Sequence, residues 1–190
     1  MSATLPKLDR MLDDGKGNFI DLIYDKKKYY QNPLFKDRVQ IDLSLLQYKK
    51  IDLEYLADKV LQFKDKKVLV EFISKKTARE FYDLLNLQAD VSDLRIVELT
   101  GDDNAKIRRK MLDEIKNSNN IIVVATQVIE AGVDIDMDIG FKDISTPDAE
   151  EQFLGRINRS CIKTGSVAYF FNYDDAFKIY RGDIRINYSI

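Results

Sequence analysis

The sequence contains no histidine, and that one absence removes several chemistries together. Neither a His-containing catalytic triad nor a histidine–zinc protease site can be built without an imidazole. Cysteine is almost missing as well. Cys161 stands alone, which excludes an intramolecular disulfide and any cysteine-based zinc site; it reads as a small buried or half-buried residue. No apolar run approaches the roughly 20 residues that a bilayer-spanning helix requires. The N-terminus also lacks a charged-then-apolar signal pattern, so the expected compartment is the cytoplasm and no membrane is expected as a partner. An excess of either charge is missing too: the formal net charge is -2. A uniformly basic nucleic-acid coat is thereby excluded, although 30 Lys and Arg leave room for a localised basic rim. There is no internal repeat and no low-complexity tract.

What is present suits one compact domain with room for a small attached piece: 190 residues, 45% hydrophobic and 33% charged. Early in the chain, residues 19–24 (F-I-D-L-I-Y) and 39–46 read as strands, separated by the Asn32-Pro33 break. Between them, Lys26-Lys27-Lys28-Tyr29-Tyr30 is a basic cluster with aromatics, readable as a DNA-touching loop or as a solvated strand end. From residue 51 the rhythm becomes regular. Leu53, Leu56, Ala57, Val60 and Leu61 recur at helical spacing, and 67–73 (K-V-L-V-E-F-I) is a nearly continuous apolar strand. A helix is expected over 77–87, a strand over 94–99, a helix opened by Asp102 and Asp103, and a wholly apolar strand over 121–125. After Pro147 a helix is expected to about residue 161, then a strand over 167–171. Strands alternating with helices of this length predict an α/β, doubly wound, mainly parallel sheet with helices on both faces.

Ligands of open parallel sheets bind beyond the carboxyl ends of the strands. That rule selects residues 74–76, 100–101, 126–136 and the helix following Ser145-Thr146, all rich in small hydroxyls, glycine or positive charge. In that helix Thr146 is a plausible N-cap and Pro147 suits the first turn. Gln152, Arg156 and Arg159 fall at i, i+4 and i+7 and so are expected on one face. Two readings stand there: a face that meets a nucleoside triphosphate, whose oxygens match planar guanidinium groups, or a solvated helix with internal ion pairs. Over 126–136 (T-Q-V-I-E-A-G-V-D-I-D), Gly132 permits a tight turn into alternating residues that set Asp134 and Asp136 on one side. A ribose-binding edge and an ordinary half-exposed strand both fit.

Together these segments resemble the motor of helicase superfamily two, and most of all the CRISPR-associated helicase of type I interference systems. Ser2-Ala3-Thr4 is similar to the motif that ends the first motor lobe, and residues 72–78 (F-I-S-K-K-T-A) to the fourth motif. Leu99-Thr100-Gly101 is similar to the element after it, residues 125–136 to the fifth motif, and 152–159 (Q-F-L-G-R-I-N-R) to the sixth, Q-R-x-G-R-x-N-R. The elements occur in order across nearly the whole chain. The resemblance implies a RecA-like lobe in which Arg156 and Arg159 act as arginine fingers toward ATP held by the first lobe, with Gln152 in support. It further implies that Asp134 contacts the ribose and that Ser74, Lys75, Thr100, Gly101 and Thr126 hold the backbone of single-stranded DNA. Glu130 and Gly132 would couple the two sites. Phe153 departs from the family's arginine, and residues 99–103 lack its His-Ser-Arg pattern.

A phosphate loop is not found, since Gly15-Lys16-Gly17 has the wrong spacing, and there is no Asp-Glu metal box. The resemblance therefore implies that the first lobe, with its Mg2+, lies upstream, and that this chain does not hydrolyse ATP alone. Residues 1–50 are then a remnant of the inter-lobe connection, 51–172 the lobe, and 173–190 an extension. Implied partners are the first lobe, single-stranded DNA and the CRISPR surveillance complex. A standalone non-catalytic nucleic-acid-binding or protein-interaction module remains open, as does the same lobe from a repair or RNA helicase. A nucleotide-binding metabolic domain lacks the dinucleotide glycine fingerprint.

Overall fold

Alternating runs of β-branched residues and amphipathic helices fold here as their pattern requires. The computed structural model describes residues 31–89, 94–127 and 133–183, together with Lys28. The chain divides into two compact units, Met1–Asp37 and Arg38–Ile190. The first has, among its described residues, one helical turn at Pro33–Lys36. The expected strand over 19–24, Ser2-Ala3-Thr4, Glu130 and Gly132 lie outside the described residues.

The larger unit runs β1 (Gln40–Asp42), α1 (Leu53–Leu61), β2 (Lys67–Glu71), α2 (Lys75–Gln88), β3 (Arg95–Leu99), α3 (Ala105–Asn117), β4 (Ile121–Ala125), β5 (Ile139–Asp143), α4 (Pro147–Leu154), β6 (Val167–Phe171) and α5 (Ala176–Ile179). The sheet order is β1-β6-β5-β2-β4-β3, and every pairing is parallel. Successive side chains along a strand go to opposite faces, and here both faces are apolar. Val68, Val70, Ile122 and Val124 join Leu56, Val60, Phe81 and Leu85 of α1 and α2 in one core. Leu69, Ile121, Val123 and Ala168 join Ile115 of α3 and Phe153 of α4 in the other. This is the doubly wound α/β architecture of the RecA-like kind.

Three local departures from expectation have physical causes. The 39–46 segment is a three-residue edge strand followed by a 3-10 turn (Ser44–Gln47), because Leu45 turns into the core. No strand was expected at β5, whose I-G-F-K-D sequence mixes glycine and charge, yet all five residues are buried. Its Lys142 meets Glu71 of β2 at 2.7 Å, and both are fully buried. The two are in cross-strand register but make no aligned hydrogen bond. Gly140 admits the ring of Phe153: a Cβ there would lie 2.6 Å from Cζ. The residue that departs from the family's sixth motif is therefore a core residue. Finally, the helix after Pro147 stops at Leu154 rather than near 161.

Candidate functional site: two ends of one sheet

At the carboxyl ends of β2, β3 and β4 the expected phosphate-binding residues come together. Ser74 is the N-cap of α2, and its side chain accepts from the Thr77 N–H at 3.3 Å. That leaves the hydroxyl proton free to donate outward. The Ser74 N–H donates to Asp174 at 3.1 Å, and the Thr77 hydroxyl donates to the other oxygen of the same carboxylate at 2.9 Å. Lys75 reaches across to Asp102 at 2.6 Å with both side chains well exposed, and its Cε would lie 3.7 Å from a Cβ at Gly101. Thr100 is fixed by the Asp103 carboxylate, which accepts its N–H at 2.7 Å. Thr126, buried beside them, donates its N–H to Leu99 O at 3.3 Å. A 14-residue helix begins at this edge with two lysines, so dipole and charge both favour an anion.

Behind this edge lies a buried acid. Asp143 is fully buried and accepts the N–H groups of Tyr173 and Asp174 at 2.9 and 3.1 Å. Burial pushes its carboxyl up to about 7, against the pull of those two backbone hydrogen bonds. Tyr173 packs edge-on against Phe72 with ring centroids 6.4 Å apart, whereas Phe177 is 64% exposed.

The second group of expected residues sits elsewhere, and here the carboxyl-end rule fails. Because α4 runs back along the sheet, Arg156 and Arg159 emerge at the amino ends of the strands. The shared helical face of Gln152, Arg156 and Arg159 does not exist, since only Gln152 lies on α4. Arg156 and Arg159 are instead held by the backbone. Met137 N–H donates to Arg156 O at 2.9 Å and Asn158 N–H donates to Met137 O at 2.8 Å, an isolated parallel bridge. Asp136 accepts the Arg159 N–H at 2.8 Å. Asp134 then meets Arg159 Nε at 3.2 Å and Lys116 at 3.5 Å. Residues 133–136 form no strand, but their burial alternates, so Asp134 and Asp136 do face outward together.

Several residues of this end were given no role by sequence reasoning. Lys163 donates to Asp136 O at 2.7 Å and pairs with Asp138 at 2.7 Å. The other Asp138 oxygen accepts the Lys67 N–H at 2.8 Å, and Lys67 Nζ caps α3 through Ile115 O at 2.9 Å. Desolvation holds the Lys67 ammonium below its ordinary pKa. Lys67, Lys116, Asp134, Asp136, Asp138 and Lys163 line a cleft of about 390 Å³. Only the charge alternation from Asp134 to Asp138 hinted at it. Among the described residues no group of three or more acidic or cysteine ligands could hold a metal ion. No described helix is long and apolar enough to cross a membrane.

The family model for the C-terminal part of the CRISPR-associated nuclease/helicase Cas3 matches residues 64–161, just over half of the chain. A CRISPR-associated nuclease/helicase Cas3 of Methanothermobacter thermautotrophicus is 30% identical over 137 residues, 68% of this chain and 14% of its own length. The chain thus spans about one seventh of that relative. A solved structure of T. fusca Cas3 with ATP has a TM-score of 0.60 at 16% identity, covering 72% of this chain and 18% of that one. The C-terminal domain of the DEAD-box protein Dbp5 has a TM-score of 0.58 at 19% identity, covering 78% and 88%. At such identities the two structures speak for the fold alone.

Proposed function

The chain belongs to the Cas3 C-terminal family of CRISPR-associated nuclease/helicases, and from that premise we propose that it is the second motor lobe of an ATP-driven translocase on single-stranded DNA. ATP is the substrate shared between lobes, with Mg2+ held by the first. In this reading Arg156 and Arg159 stabilise charge on the transferring γ-phosphoryl group, Gln152 supports the nucleotide or attacking water, and Asp134 accepts from the ribose. Ser74, Lys75, Thr100, Gly101 and Thr126 form half of the DNA track, and Glu130 and Gly132 link the two ends. Nucleotide-driven closure over the strand and reopening after hydrolysis step the DNA. Residues 1–37 belong to the inter-lobe connection, 38–50 lead into the lobe through the edge strand β1, and 173–190 form an extension. The CRISPR surveillance complex is the proposed loading partner, and the cytoplasm the compartment.

The observation that carries the reading is the backbone bridge between Met137 and Ile157. It sets a carboxylate and a guanidinium 3.2 Å apart at Asp134 and Arg159, on elements 20 residues and more apart in the chain. Both groups have the chemistry a nucleotide's ribose and phosphates need. Phosphate contacts by small hydroxyls, an N-cap and lysine at the other end hold a strand without reading its bases.

The test is Arg156→Ala in the two-lobed protein. DNA-stimulated ATP turnover should fall by about 10³-fold or more, as for loss of an arginine finger, with single-stranded DNA affinity nearly kept. Wild-type turnover would remove the finger role and favour a binding module.

A further inference from the structure

The two arginines leave α4 on a loop whose conformation is not intrinsic to it. The last carbonyls of a helix have no intrahelical donors, and Gly155 follows at once. Two residues hold this exit. Arg38, the first residue of the larger unit, donates from Nη2 to Leu154 O at 2.9 Å and from Nη1 to Ile157 O at 2.9 Å, with Asn158 O at 3.4 Å. One planar guanidinium therefore spans both sides of Arg156 and fixes the spacing of the carbonyls that flank it.

Asn158 completes the hold. It is 1% exposed and adopts φ 45, a left-handed conformation that asparagine tolerates better than most residues. Its side-chain amide donates to Arg38 O at 2.7 Å and to Lys163 O at 2.9 Å, and its carbonyl oxygen accepts the Lys163 N–H at 3.0 Å. Arg38 and Asn158 thus bind one another's backbones reciprocally, across about 120 residues of chain. These side-chain hydrogen bonds of the pair all end on backbone groups.

We propose that Arg38 and Asn158 are the positioning pair for the arginine loop, setting where Arg156 and Arg159 stand. The functional half of this inference rests on the finger roles proposed above. A lysine at 38 keeps the charge but cannot span two carbonyls with fixed geometry. A glycine at 158 keeps the left-handed backbone but loses all three side-chain hydrogen bonds.

The experiment compares Arg38→Lys, Asn158→Gly and Arg156→Ala in the two-lobed protein. ATP turnover and backbone amide exchange are both read. For Arg38→Lys and Asn158→Gly, kcat should fall up to about 100-fold, the scale of a small misplacement of catalytic groups, with KM for ATP little changed. Amide protection should drop at Met137 and Asn158, the donors of the bridge, while β2 and β4 stay protected. A merely structural role would lower protection throughout and leave the balance of kcat and KM unmoved. Wild-type kcat, or wild-type protection at Met137 and Asn158, in both variants overturns the proposal. If Arg156→Ala alone leaves turnover intact, the finger reading fails instead, and the exchange data still decide whether Arg38 and Asn158 hold the loop.

Discussion

The two ends of the sheet are built by different means. At the carboxyl ends short-range ties stand beside long ones: Ser74 is capped onto Thr77, three residues on, and Thr100 onto Asp103, while Asp174 holds the Ser74 N–H from 100 positions away. At the amino ends nearly every tie is long-range: Met137 to Arg156 and Asn158, Asp136 to Arg159, Arg38 to Ile157. Local caps make a surface that can follow a flexible strand. Long-range ties make one that holds a few atoms in fixed relation, as charge stabilisation at a reacting centre demands. The difference is one of degree: the arginine loop depends on tertiary contacts for its backbone path, whereas the start of α2 has a cap of its own.

The comparison can be broken or sharpened by substitution. The largest effect is expected from pH at the carboxyl end. The Asp143 carboxyl sits near 7 in the folded protein against 3.8 when free. A raised acid stabilises the fold fully only below its free value, and that contribution is lost as pH rises from about 4 to 7. Asp143→Asn should flatten this loss, by on the order of a few kcal/mol, in urea titrations run across that window. Parallel curves for the two proteins would show that the acid is not held as described.

Gly140→Ala comes next. Its new methyl would meet Phe153 at 2.6 Å and Ile157 at 2.7 Å, both fully buried, so α4 must shift and the arginine loop with it. A loss of about 1–3 kcal/mol is expected from overpacking, seen as a lower denaturant midpoint at unchanged slope. An unchanged midpoint would mean that the amino end is slacker than its hydrogen bonds imply.

The smallest effect belongs to Ser74→Ala. Loss of one N-cap should cost about 1 kcal/mol and weaken binding of single-stranded DNA without changing its salt dependence, which charged contacts set. A cost several times larger would show that the carboxyl end is no more local than the other.

Strands that are apolar on both faces were legible without coordinates: 121–125 and 167–171 have the bounds expected of them. β5 was not, because the charge of Lys142 is answered by Glu71 on another strand and that of Asp143 by backbone N–H groups beyond β6. The residues of the fifth and sixth motifs were legible as a set, but not their arrangement. Helical periodicity placed Arg156 and Arg159 on one face of a helix that ends before either of them. What ends it is Gly155 together with a guanidinium more than 110 positions away, and no window along the chain contains both.

The order of the strands has one further consequence, in time rather than space. Among the described strands β1 pairs only with β6, Gln40 against Val167, so the first of them to leave the ribosome meets its described neighbour only when the last is made. Chains fold as they emerge, and pairings this distant form late. Arg38 stands just before β1: the next backbone hydrogen bond along the chain runs from Gln40 N–H to Ser166 O. A nascent lobe can therefore assemble β2 to β5 while its arginine loop is still unanchored. Closing the edge of the sheet and arming the loop become one event, so a chain interrupted before β6 would carry both arginines without the means to aim them.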